Sequence, residues 1–253
     1  MPDPRPRLME LLAETGALFF AEGLRLKDGR PTPYFVNVGA FRTGRLALEM
    51  GRGLAALIEG LGLLDRVDVI VGPSYKGSAL AVSAATALWL DFDRETAFDY
   101  DRQQVKMHGE ATGVGAGFVT GALADGKRLF IVDDVASSMA TKLDLLKKLT
   151  AEEDKRGIRF EMLGVGICLD REQTTAVYDD SGRVIEGRRG EDAKAAFTAQ
   201  TGVPVHSLLK ISEVIEALYR NQTPVLVDGR RQPISPALKE RFNQYQQTYG
   251  PSD

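Results

Sequence analysis

The feature that most constrains this chain lies near its middle. Leu129-Phe130-Ile131-Val132 runs into Asp133-Asp134-Val135-Ala136-Ser137-Ser138-Met139-Ala140-Thr141, and a helix follows from about Ala140 to Glu153 with Leu143, Leu146 and Leu149 on one face. An unbroken apolar run bounded by charge reads as a strand buried on both faces, the kind found in parallel sheets. The unit recurs. Val67-Asp68-Val69-Ile70-Val71 stops at Gly72-Pro73 and leads into an Ala/Leu-rich helix from about Lys76 to Leu90. Glu95–Asp101 reads as another strand, and Met162–Leu169 as a further apolar strand ending on Asp170-Arg171. Strand, polar turn, helix and strand in repetition predict an α/β fold, with a central, mostly parallel sheet flanked by helices. Ligands of such sheets sit beyond the carboxyl ends of the strands. Here those ends carry Gly72–Lys76, Asp133-Asp134 and Asp170-Arg171.

Around this centre, Leu8, Leu11, Leu12 and Leu18 predict an amphipathic helix after Pro6, and Thr43–Leu61 a second one. Phe19–Gly39 reads as short extended pieces about a turn at Asp28-Gly29. Residues 102–117 are polar, glycine-rich and without period, and read as a mobile loop. Thr174–Tyr178 and Arg183–Ile185 flank Asp179-Asp180-Ser181-Gly182, a hairpin signal. A helix over Glu191–Gln200, a strand over Val203–Leu208 and a helix over Ile211–Tyr219 with Ser212 as N-cap follow. The chain ends with a second hairpin turning at Asp228-Gly229 and a helix opened by Ser235-Pro236. Residues 1–220 are expected to form the main domain, and residues 221–253 a C-terminal extension, hairpin plus helix, that is not an independent domain.

Composition removes several classes of function. The 253 residues carry 32 Lys+Arg and 35 Asp+Glu, a net charge of −3, which argues against a nucleic-acid coat or an anionic-membrane binder. One cysteine, Cys168, excludes an internal disulfide, and it reads as a small buried hydrophobe. Two distant histidines exclude the usual zinc spacings. The N-terminus lacks an apolar signal core, and no stretch reaches the roughly eighteen apolar residues of a membrane span. The expectation is a soluble, cytoplasmic protein.

The Asp133–Thr141 junction suits two tasks. Free N–H groups of a first helical turn, with the hydroxyls of Ser137, Ser138 and Thr141, can hold a phosphate. The paired carboxylates can hold sugar hydroxyls or the water shell of a magnesium ion. An ordinary capped helix with solvated acids fits the same pattern, and the junction alone does not choose.

The block resembles the phosphoribosyl-pyrophosphate (PRPP) signature of type I phosphoribosyltransferases. In chain order, Leu26-Lys27-Asp28-Gly29-Arg30-Pro31-Thr32-Pro33-Tyr34-Phe35-Val36-Asn37 is similar to the N-terminal motif of the orotate phosphoribosyltransferases. Gly72-Pro73-Ser74-Tyr75-Lys76-Gly77 is similar to their pyrophosphate loop, Tyr100–Glu110 to their catalytic loop, and Leu169–Gln173 to the strand end that meets orotate. The resemblance implies the type I fold with a small N-terminal hood. It also implies transfer of ribose 5-phosphate from PRPP to orotate, giving orotidine 5′-monophosphate and pyrophosphate in pyrimidine biosynthesis, with Mg2+ required. By the same resemblance Lys106, His108, Asp133 and Asp134 are catalytic. PRPP would be held by Lys27, Tyr75, Lys76, Arg102, Gln103, Lys106, His108, Asp133, Asp134, Val135, Ala136, Ser137, Ser138, Met139, Ala140 and Thr141. Orotate would meet Lys27, Phe35, Val36, Ser137 and Arg171. Magnesium would be carried mainly by PRPP, with Asp133 and Asp134 acting through water. The family's loop reaches into the neighbouring subunit, which implies a homodimer with the catalytic loop shared across the interface.

Two positions depart from the pattern. Gln103 stands where a lysine often follows the loop arginine, and Met139-Ala140 stands where glycine is expected. If Met139 is accommodated, the expectation is a helical, negative φ with its thioether packed on apolar neighbours. A phosphoribosyltransferase for another base and a non-catalytic PRPP-binding regulator are the alternative readings. Arg171 favours orotate over a purine base, because orotate carries a carboxylate and its guanidinium offers a planar fork for one.

Overall fold

The computed structural model describes residues 2–102, 117–136 and 138–251. Its elements in chain order are α1 (Arg5–Glu14), β1 (Leu18–Phe20), β2 (Tyr34–Val36), α2 (Gly44–Gly60), β3 (Val69–Gly72), α3 (Lys76–Phe92), β4 (Ala97–Tyr100), β5 (Arg128–Ala136), α4 (Ala140–Arg156), β6 (Glu161–Asp170), α5 (Ala193–Thr201), β7 (Val205–Lys210), α6 (Ile211–Arg220), β8 (Val225–Val227), β9 (Arg230–Gln232) and α7 (Pro236–Tyr249). Strands β4-β3-β5-β6-β7 form one sheet in that order, and every neighbouring pair is parallel.

The unbroken apolar run of β5 follows from this topology. Side chains of a strand alternate between faces. Phe130 and Val132 enter the core beneath α1, α2 and α3, while Leu129 and Ile131 enter a second core with Leu145 and Leu149 of α4 and Phe197 of α5. A strand covered on both sides has no solvent face for polar residues. Burying one leucine- or phenylalanine-sized side chain is worth about 1.5–3 kcal/mol, so these two cores dominate the stability of the sheet.

A second, four-stranded sheet has the order β2-β1-β8-β9. β1 pairs antiparallel with β2 and parallel with β8, Phe19 facing Leu226 and Phe20 facing Val227. The hood expected at the N-terminus is therefore completed by the C-terminal hairpin.

Three local expectations are corrected. Ser212 is not the N-cap of α6: the helix begins at Ile211, buried against the core, and its first-turn donor Ser212 N is satisfied from outside by Glu172 Oε2 at 2.8 Å. The 174–185 segment forms no ladder beyond one bridge, Tyr178 to Val184. Its turn is held by Asp179 Oδ1, which accepts from Ser181 N and Arg183 N, and its flanks are mostly half-buried without extending the pairing. β7 starts two residues later than expected, at Val205. Among the described residues no helix is long and apolar enough to cross a membrane.

One ion pair ties the starts of β3 and β5. Asp68 Oδ2 accepts from Arg128 N at 2.9 Å and Nε at 3.0 Å, and Oδ1 from Nη2 at 3.0 Å. These bonds hold the Asp68 carboxyl down to about 2. A folded-state value below the unfolded one, about 3.9, stabilises the fold above that pH and is lost as pH falls through the folded value. Urea titrations of Asp68→Asn should show a flatter decline than wild type between about pH 4 and 2. Parallel curves through that window would remove the ion pair as a source of acid sensitivity.

Candidate active site

The carboxyl ends of β3, β5 and β6 bring the sequence-predicted blocks to one edge of the parallel sheet. After β3 the chain turns through Pro73, Ser74 and Tyr75 into α3, with a cis Ser74–Tyr75 peptide. Gly72 is obligatory here, because a Cβ would lie 1.9 Å from the Gly77 carbonyl oxygen. Tyr75 is exposed, and Lys76 Nζ reaches across to Asp134 Oδ2 at 2.7 Å, joining the two strand ends. Ser74 N donates to Asp101 Oδ1 at 2.6 Å, and Asp101 also pairs with Lys148 of α4. Arg102 N donates to the Gly117 carbonyl at 2.8 Å and its Nε to the Phe118 carbonyl at 3.2 Å. The buried Asp99 carboxylate accepts from Val119 N at 3.0 Å and Thr120 N at 2.9 Å. The two flanks of the 103–116 stretch are thereby fixed side by side at the end of β4.

At the end of β5 the two acids have different surroundings. Asp133 is buried, and its Oδ2 meets Lys142 Nζ at 2.5 Å and Thr141 Oγ1 at 3.2 Å. Lys142, equally buried, also donates to the Val135 carbonyl at 2.9 Å. Burial pushes the Asp133 carboxyl above its ordinary value, and the Lys142 ammonium pulls against that push. Asp134 is half-turned to solvent and faces Lys76. Beyond Val135 and Ala136, Ser138 and Ala140 are exposed, and the N–H groups of Ala140 and Thr141 lie at the open N-terminus of α4. Such a terminus attracts anions.

Met139 departs from expectation in one respect. Its φ is +57°, left-handed, where a helical value was expected. Its side chain is buried as expected, in the apolar cluster with Leu145 and Leu149. The backbone must reverse sharply between β5 and α4, a conformation that glycine adopts freely and that costs other residues about 1–2 kcal/mol. The buried thioether offsets that cost. Met139→Gly should therefore relieve strain yet empty a core position, where loss of a methionine side chain costs about 2–5 kcal/mol. The net expectation is a lower midpoint in thermal unfolding, and an unchanged or raised midpoint would show that the side chain contributes nothing.

On the far side of the site, Arg171 at the end of β6 is buried. Its Nε donates to Gln173 Oε1 at 3.0 Å, its Nη2 to Thr32 Oγ1 at 3.3 Å, and its guanidinium carbon lies 4.6 Å from the centre of the Tyr34 ring. Among the described residues no carboxylate pairs with it. The neighbouring Asp170 does not: it pairs with Lys194 and accepts from Ser207 Oγ at 3.4 Å. Phe35 packs on Phe19 at 5.7 Å between ring centres, and Val36 is buried in the hood core. Lys27 is exposed at the tip of the turn closed by Leu26 N to Arg30 O at 2.9 Å, and no described residue pairs with it. Gln103, Lys106, His108 and Ser137 lie outside the described residues. His206 lies near the amino end of β7, away from the carboxyl ends that carry the site, and burial pushes its imidazole below its ordinary value.

Three site residues escaped the sequence reading: Lys142, Lys148 and Asp99. Lys142 carried a signal, a lysine two positions into a helix that the phosphate-loop pattern opens with small residues. Lys148 and Asp99 carried none, since a lysine on an amphipathic helix and an acid in a short strand are ordinary. No three His, Cys, Asp or Glu side chains among the described residues cluster as a metal cage.

A hooded parallel sheet with paired acids, a tight glycine turn and an open helix terminus at its strand ends is a type I phosphoribosyltransferase fold. Comparison narrows the class. No protein-family model matches the chain. It is 34% identical over 248 residues to the orotate phosphoribosyltransferase of Bifidobacterium adolescentis, covering 96% of each chain. It is 34% identical over 242 residues to that of Cellvibrio japonicus, covering 96% of this chain and 95% of that one. The crystal structure of the Francisella tularensis orotate phosphoribosyltransferase matches the fold with a TM-score of 0.72, at 24% identity, over 97% of this chain and 100% of that one. The chain belongs to the orotate phosphoribosyltransferase family.

Proposed function

We propose that this protein transfers ribose 5-phosphate from PRPP to orotate. The bond from the sugar's anomeric carbon to pyrophosphate breaks, a bond from that carbon to a ring nitrogen of orotate forms as that nitrogen gives up its proton to water or to the departing pyrophosphate, and pyrophosphate leaves. The observation that carries the reading is Arg171, a buried guanidinium with no carboxylate partner among the described residues, one strand away from the Asp133-Asp134 pair. A buried cation without a counter-ion is costly, and an anionic planar base supplies one. A purine base has no carboxylate to offer.

The remaining roles follow from position. Ala140 and Thr141 N–H groups, with the hydroxyls of Ser138 and Thr141, hold the 5-phosphate at the α4 terminus, beside Val135, Ala136 and the buried Met139. Asp133 and Asp134 hold the ribose hydroxyls, oriented by Lys142 and Lys76. Tyr75, Lys76 and Arg102 face the pyrophosphate, and the family resemblance alone adds Gln103, Lys106 and His108 to them. Lys27, Phe35 and Val36 line the base side, and the family resemblance alone adds Ser137. The chemistry needs no protein nucleophile: it needs aligned partners and fixed charge where charge develops. Asp134, partly exposed, and Asp133 are the residues that would hold Mg2+, through water, and the ion would neutralise charge on the departing pyrophosphate. Two carboxylates already facing lysines fit such an indirect hold better than a direct cage.

A homodimer fits the outer face of α3. Tyr75, Ala79, Val82, Thr86 and Trp89 repeat at spacings of four and three and are all exposed, Tyr75 by 79% and Trp89 by 54%. A helix face this apolar in water is suited to a second copy, and its first residues belong to the pyrophosphate turn, so the partner would meet the site's edge.

The direct test is loss of orotate absorbance with PRPP and magnesium, run beside a panel of purine bases. Activity only with a purine would defeat the reading. Arg171→Ala should raise the KM for orotate by about ten- to a hundredfold, the equivalent of one charged hydrogen bond, and leave the KM for PRPP nearly unchanged. An equal rise for both substrates would make Arg171 a structural residue.

A further inference from the structure

Helix α7 reaches the strand end that carries Arg171. Tyr245 Oη donates to Gln173 Oε1 at 3.0 Å, and that same oxygen accepts from Arg171 Nε at 3.0 Å. Gln246 Nε2 donates to the Arg171 carbonyl at 3.2 Å. Tyr245 stands edge-on to Tyr34 at 5.8 Å between ring centres, and Tyr34 is the ring beneath the guanidinium. Further along the helix, the Tyr249 carbonyl accepts from Thr174 N at 2.8 Å and Oγ1 at 3.0 Å, pinning the chain that follows Gln173. Tyr245, Gln173 and Arg171 are all buried.

Every one of these contacts to Arg171 is neutral. Burial pushes the Tyr34 phenol up, so it remains an uncharged donor and ring. A neutral cage orients a guanidinium without cancelling its charge, whereas a carboxylate in the place of Gln173 would compete with an anionic ligand. Gln173 takes two donors on one oxygen, so the Tyr245 hydroxyl also fixes which end of the amide faces Arg171. We propose that α7 is a positioning element of the base site: Tyr245, acting through Gln173, sets the plane of the Arg171 guanidinium that receives the base, and Gln246 fixes the backbone beneath it. The proposal rests on the reading of Arg171 as the base-binding residue.

The test compares Tyr245→Phe, which keeps the ring and removes only the donor, with Gln246→Ala and Arg171→Ala in the full chain. For each, KM for orotate, KM for PRPP, kcat and the thermal midpoint are measured. Tyr245→Phe and Gln246→Ala should each raise the orotate KM by about three- to tenfold, the range of one neutral hydrogen bond. The PRPP KM should stay within about twofold, and the midpoint within about 2 °C. Adding Tyr245→Phe to Arg171→Ala should raise the orotate KM no further, because the group being positioned is gone. An unchanged orotate KM in both variants, an equal rise for both substrates, or full additivity with Arg171→Ala would each overturn the proposal and leave α7 as packing. If Tyr245→Phe fails to fold, Gln246→Ala decides on the same criteria. An orotate KM unmoved by Arg171→Ala would instead defeat the base-site reading itself, a result distinct from the others.

Discussion

Lys142→Ala is expected to destabilise the protein by about 3–5 kcal/mol, the cost of leaving one member of a buried ion pair without its partner. Lys142 and Asp133 are both buried, with 2.5 Å between Nζ and Oδ2, so little water is available to replace the ammonium. The Val135 carbonyl would lose its donor as well. Chemical denaturation should show the loss directly. The double variant Lys142→Met with Asp133→Asn should recover a large part of it, because a neutral amide beside a long apolar side chain leaves no unpaired charge. The double variant should nevertheless stay deficient in PRPP binding, since Asp133 is assigned to the ribose. A Lys142→Ala protein as stable as wild type would show that the pair contributes nothing to the fold. Stability restored together with full PRPP affinity in the double variant would remove Asp133 from the binding site.

Lys106→Ala is expected to lower the rate of transfer by at least about a hundredfold with the fold intact, within the range that loss of one charge-stabilising group costs. The residue lies outside the described stretch, and its role comes from the family resemblance of Tyr100–Glu110. The flanks of that stretch are anchored at Asp99, Asp101 and Arg102, beside the Ser74 turn. If the loop acts across a dimer, mixing Lys106→Ala with a variant altered at Asp133 and Asp134 should restore part of the activity, because one hybrid site then holds two intact halves. No recovery after demonstrated subunit exchange would place the loop over its own subunit's site. A Lys106→Ala rate within a few-fold of wild type would remove the lysine from the chemistry.

Much of this architecture is legible in the chain because it is local. The continuous apolar runs at 129–132 and 162–169 require burial on both faces, and the alternation of Phe130 and Val132 with Leu129 and Ile131 between two cores is that requirement met. The acids after β5 and the glycine turn after β3 mark the strand ends because charge and tight turns cannot continue a buried strand. Motif order pointed to the family for the same reason: each block is a short contiguous stretch of sequence.

What the sequence could not decide depends on residues far apart in the chain. The C-terminal hairpin joins β1 through Phe19 and Phe20, some two hundred positions away, and no local pattern announces that pairing. Met139 reads as an unsuitable residue for a tight loop; only the apolar cluster under α4 explains how a left-handed backbone is retained there. Lys142 and Arg171 carry sequence signals of a site, but no window of sequence shows that either charge is buried. Their burial, one against Asp133 and the other within a neutral cage closed by α7, is decided by packing, because the energy of a buried charge is set by whatever the fold places beside it.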